Sequence, residues 1–133
     1  MSLSAVLAEA ILSARSDAII AADRHGIIRF WNPGTERLFG YSRDEALGQS
    51  LDLIVPGPLR QRHWDGYYRV IQTGQSRYGE SDVLSVPALR KDSTTISVEF
   101  TIAPLRDEAG RLIAIAAIMP LKRKLAEATR LSR

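Results

Sequence analysis

Between Thr94 and Ala103 the chain alternates apolar and polar residues. Ile96, Val98, Phe100 and Ile102 fall on one side, and Thr95, Ser97, Glu99 and Thr101 on the other. A period of two predicts a strand with one face on a core. Leu112 to Met119 is almost wholly apolar, which predicts a central strand covered on both faces. Asp17–Asp23 and Ile27–Trp31 are rich in β-favouring residues and flank a turn at Gly26, so they read as a hairpin. Tyr78 to Val86 reads as a further strand, with Pro87 marking an edge or a bulge. Five antiparallel strands result, with helical segments between the second and third that cover one face, an α+β arrangement.

Other stretches change period. Leu3, Val6, Leu7, Ala10, Ile11 and Ala14 recur at helical spacing, with Ser2 or Ser4 available as a cap. This helix reads either as a lid on the domain's own core or as a dimerisation helix. Asn32-Pro33 stops the second strand and suits the cap and first position of a helix to about Phe39, which Gly40 ends. Ser42 with Glu45 is a capping-box pair opening a second short helix that ends at Gly48. Leu51 to Pro58 reads as an irregular connection, and Leu59 to Thr73 as a long helix closed by Gly74.

Composition narrows the function. The chain has 133 residues, enough for one domain with a substantial core. It has no cysteine, which excludes disulfides and thiolate chemistry. No apolar run has the ~18 residues of a membrane span, so a cytoplasmic protein with no membrane contact is the expectation. The net charge of +3 is unevenly placed: residues 121–133 carry +4 and residues 1–120 carry −1. A near-neutral body gives no support to nucleic-acid binding. There is no G-x-S-x-G elbow, Walker loop or G-x-G-x-x-G, so the chain is not expected to be an enzyme.

The order of strand, Asn32-Pro33 break, mini-helix, Gly40-Tyr41, Glu45 and Gly48 resembles the PAS sensory-domain family. Leu89–Pro104 is similar to that family's central hairpin, and Arg106–Met119 to its last strand with the preceding turn. The resemblance covers roughly Ser16 to Met119. It divides the chain into an N-terminal helix (1–15), a PAS domain (16–120) and a basic helix or tail (121–133). It implies a ligand-binding and protein-interaction module of bacterial signal transduction, dimeric through its N-terminal helix, with output on a signalling partner. Sensor kinases of the family carry an Asp-Ile/Val-Thr junction after the last strand, where this chain has Met119-Pro120-Leu121.

His63 is the residue with most chemistry. On a helix it shares a stripe with Leu59, Tyr67 and Val70, with Gly66 beside it. Facing the sheet, a neutral imidazole can ligate haem iron. The helix resembles that of the haem-binding PAS domains of bacterial oxygen-sensor kinases. That resemblance implies His63 as proximal ligand, Arg69 and Arg77 as propionate partners, and Phe100 and Ile102 on the distal wall. The family's distal Arg is replaced here by Val83 or Leu84. With no cysteine, the flavin photochemistry of light-sensing PAS domains is excluded. The competing reading makes His63 a surface residue bonded to a carboxylate or backbone, Arg69 and Arg77 solvated charges, and Tyr67 packing, in a pocket that is empty, holds another small ligand, or belongs to a ligand-free dimerisation module.

Overall fold

A computed structural model describes residues 2–74 and 83–121. Its strands are β1 (Asp17–Asp23), β2 (Ile28–Trp31), β3 (Leu84–Leu89), β4 (Thr95–Arg106) and β5 (Leu112–Pro120). They form one antiparallel sheet in the order β2-β1-β5-β4-β3. The helices are α1 (Leu3–Leu12), α2 (Pro33–Phe39), α3 (Arg43–Ala46) and α4 (Arg60–Thr73). Leu51–Ile54 and Gly57–Leu59 form 3₁₀ turns, so the expected irregular connection is more regular than its two prolines suggest.

Parity along the strands decides what the sheet buries. Ala18 and Ile20 of β1, Val98 of β4 and Met119 of β5 meet Ile28, Trp31 and Phe39 in the main core. The partly buried Ile96 and Phe100 pack against it. A second cluster joins Tyr67 and Val70 of α4 to Ala22, Leu112 and Ile115, with Ile102 at its margin.

The junction after β2 forms as its residues predict. The Asn32 side chain accepts from the backbone N–H of Thr35, with Pro33 at the first helical position. Gly40 closes α2 at φ +85°. Ser42 and Glu45 make the reciprocal capping box of α3. Asn32 does more than cap. Its oxygen also accepts from Ile19 N–H at 2.9 Å, and its amide donates to the carbonyls of Ala14 (3.2 Å) and Asp17 (2.9 Å). One buried side chain therefore ties α2 to β1 and to Ala14 in the link between α1 and β1.

Four expectations change. β5 is central but not covered on both faces. Ile118, cross-strand neighbour of Ile19 and Thr101, is 37% exposed, and Ile113, expected in the core, is 48% exposed. Phe30, which as an aromatic strand residue is expected in the core with Phe100, Val98, Ile113 and Ile115, is only half-buried, and Trp31 fills the core instead. β3 continues through Pro87 to Leu89. It is an edge strand, where the missing N–H of proline is tolerated. The rest of the expected strand, Tyr78 to Asp82, lies outside the described residues, as does the basic segment after Leu121. Finally, α1 is capped by Ser2 but buries none of its residues, so it is not a lid.

Candidate functional site

Helix α4 has no side-chain cap at its start and ends at Gly74, φ +71°. Its position comes from aromatic anchors. The Trp64 indole donates to Asp52 Oδ1 at 2.7 Å, and its ring covers the turn between β1 and β2. A Cβ on Gly26, which sits at φ +75°, would lie 2.1 Å from that ring. Tyr67 donates its hydroxyl to the Asp23 carbonyl at 2.5 Å. Burial, with help from the nearby Asp23 and Tyr68, pushes the Tyr67 hydroxyl far above the ordinary tyrosine range, so it remains a donor.

His63 sits among these anchors, edge-on to Trp64 at 4.7 Å and tilted against Tyr67 at 5.8 Å between ring centroids. Its Nδ1 is buried and has no hydrogen-bond partner. Desolvation lowers its pKa, and the carboxylate of Asp52 opposes this only in part, so the ring is neutral at pH 7. A neutral imidazole with an unengaged buried nitrogen is a competent ligand for a metal or a hydrogen-bonding group. Beside it, a Cβ placed on Gly66 would meet no atom within 4 Å, so this side of the helix has room. Among the described residues no group of three or more His, Cys, Asp or Glu could hold a metal ion. A metal taken at His63 would therefore need most of its ligands from elsewhere, as haem iron gets them from its porphyrin.

The other expected residues divide. Tyr67 and Ile102 join His63 on the α4 side of the sheet. Phe100 and its cross-strand neighbour Leu84 lie toward the main core. Val83 precedes β3 and is 61% exposed. Arg69 is exposed on α4, and Arg77 lies outside the described residues. Sequence reasoning missed Trp64, Asp52 and Gly26 as the frame of the site. Gly26 was legible as a turn, but nothing along the chain shows that an indole 38 positions away needs its missing side chain.

The sheet order, the Asn32 junction and the position of α4 are those of a known fold. The PAS fold family matches residues 12–120. The chain belongs to the PAS family. Among its relatives, the sensor protein FixL of Bradyrhizobium diazoefficiens is 35% identical over 96 residues, 72% of this chain and 19% of FixL. The oxygen sensor protein DosP of Escherichia coli is 27% identical over 100 residues, 75% of this chain and 12% of DosP. The chain thus spans less than a fifth of either relative. Of solved structures, a PAS domain from Colwellia psychrerythraea superposes with a TM-score of 0.75 at 21% identity, covering 91% of this chain and 98% of that one. That likeness concerns the fold. Among the described residues of this PAS domain, no helix is long and apolar enough to cross a membrane.

Proposed function

We propose that this PAS domain is a sensory module of bacterial signal transduction, a binding device in the cytoplasm and not an enzyme, and that its signal enters at His63 as a haem-borne gas. The carrying observation is the buried, unpartnered Nδ1 of a neutral imidazole on α4. Relatives named as a sensor and an oxygen sensor support it. His63 would hold the iron, Tyr67 and Ile102 would exclude water beside it, and Arg69 is an exposed cation on the same helix that would be available to a propionate. When bound, haem would supply an iron centre able to take a diatomic gas. The protein's part is to keep the imidazole neutral and oriented, which Trp64 and Tyr67 do by contact. Protein produced with haem supply should show a Soret band that His63→Ala abolishes. A colourless wild type that also fails to take up added haemin ends the haem reading.

A second reading concerns assembly and rests on α1. Leu3, Val6, Leu7 and Ile11 are 49–83% exposed on a helix that buries nothing in its own domain. Such a face is stable in water only when covered. The outer face of the sheet is also apolar: Phe30, Ala21, Ala116 and Ala103 are successive cross-strand neighbours, and although Ala116 and the adjacent Ile19 are buried, Ile118 is exposed beside them. A second copy of the chain fits both surfaces, making the module a homodimer that passes its signal to a partner protein. Light scattering should give a dimeric mass that deletion of residues 1–15 reduces to a monomer. A wild type that stays monomeric at high concentration would refute it.

A further inference from the structure

The ladder between β4 and β5 stops at Thr101–Ile118, although β4 begins at Thr95. The first half of β4 therefore has β3 on one side and a groove on the other. The groove is a cavity of about 480 Å³ beside α2, and neither His63 nor any other residue of α4 lines it. Its floor is the main core itself: Leu38, Val98 and Met119, with Leu121 at the end. Two guanidinium groups line the same cavity, Arg37 of α2 and Arg90 of the β3–β4 turn.

Neither cation is saturated. Arg37 is exposed and has no hydrogen-bond or ion-pair partner among the described residues. Arg90 donates Nε–H to the Leu38 carbonyl at 2.9 Å, which holds the guanidinium at the groove, while its Nη1 is 3.7 Å from Asp92. That separation is too long for a hydrogen bond, so most of its five donors are available. Thr94 holds the other oxygen of Asp92, Oδ1, so Asp92 offsets the charge of Arg90 only through Oδ2 at that distance. Glu99, the acidic residue on the rim, is not a free carboxylate. A second cavity, of about 430 Å³, shares Arg37 but also contains Glu36 and Glu45, so its charges offset one another.

We propose that the groove binds a small amphipathic anion, a carboxylate with an aliphatic chain. The two arginines suit a planar carboxylate, which a guanidinium can hold by paired hydrogen bonds. The exposed edge of the core suits the chain, and the volume lies in the range of small-molecule sites, which are mostly apolar with few placed polar groups. A hydrophilic anion would leave the floor wet, and a neutral lipid would leave both cations without a partner. Because Leu121 lines the groove and donates its N–H to Ser16, the bound molecule touches the point where the chain leaves the sheet.

The test uses octanoate as probe, with octanol and acetate as controls, titrated calorimetrically into the full chain. Octanoate binds and raises the melting temperature, and each control binds at least ~10-fold more weakly. Arg37→Glu lowers octanoate affinity at least ~10-fold while circular dichroism stays unchanged, since Arg37 is exposed. Arg90→Lys weakens binding less, keeping the charge but losing the fork. His63→Ala leaves octanoate binding as it was. Absence of binding, equal binding of octanol, or indifference to Arg37→Glu overturns the proposal. Loss of binding in His63→Ala also overturns it, by moving the ligand to α4.

Discussion

Two polar side chains, the buried Asn32 and the half-buried His63 with its buried Nδ1, are treated in opposite ways. Asn32 is 2% exposed and uses both its oxygen and its amide, reaching backbone groups of β1, of α2 and of Ala14 between α1 and β1. Thr35 completes the junction, its hydroxyl lying within donating reach of Asn32 Oδ1 at 2.7 Å and of the Ile19 carbonyl at 3.0 Å, with one proton shared between them. His63 has a buried nitrogen and no partner for it, though the Asp52 carboxylate is near enough to act on its charge. Asp52 holds Trp64 through Oδ1, and the Tyr67 hydroxyl donates to a carbonyl. A satisfied buried polar group specifies a structure. An unsatisfied one is destabilising, and it persists in a fold where something else makes use of it.

The largest effect should come from breaking the satisfied member. Asn32→Ala strands the buried Ile19 N–H and uncaps α2, and should cost about 3 kcal/mol, read from urea denaturation. A loss near the ~1 kcal/mol of an ordinary cap would mean that the bonds to β1 add little. Next is the frame of the unsatisfied member. Gly26→Ala forces a methyl into the Trp64 ring at a positive φ and should cost about 2 kcal/mol. It should also change Trp64 fluorescence, and an unchanged emission maximum would show that the indole does not rest on that turn.

The smallest effect should come from His63 itself. His63→Leu removes the orphaned nitrogen and should change stability at neutral pH by less than ~1 kcal/mol, in either direction. Its mark is on pH dependence. Because the folded-state pKa lies below the ordinary 6.5, the unfolded chain takes up the proton first as pH falls. The contribution of neutral His63 is therefore fully present above about 6.5 and is lost as pH drops from there toward the folded-state value. Denaturation midpoints measured on both sides of that value should show a steeper acid loss in wild type than in His63→Leu. Parallel profiles would mean that the imidazole is not desolvated, and the contrast with Asn32 would fail.

What could be read along the chain was local or periodic. The inward parity of Val98 and Phe100 needs only the pleat, and the Asn32 cap, the Ser42–Glu45 box and the Gly40 and Gly74 stops need only a few neighbouring residues. Their order along the chain was enough for the family. What could not be read depends on separations between residues remote in sequence. That Ile118 is exposed although β5 is central, that Trp64 rests on Gly26 and bonds Asp52, and that Arg37 and Arg90 share a groove where β5 has stopped are all of this kind. Propensity and periodicity carry no information about which surface an element meets or which partner is already taken. Only packing in three dimensions decided whether a buried nitrogen found a partner and whether an apolar strand was covered on both faces.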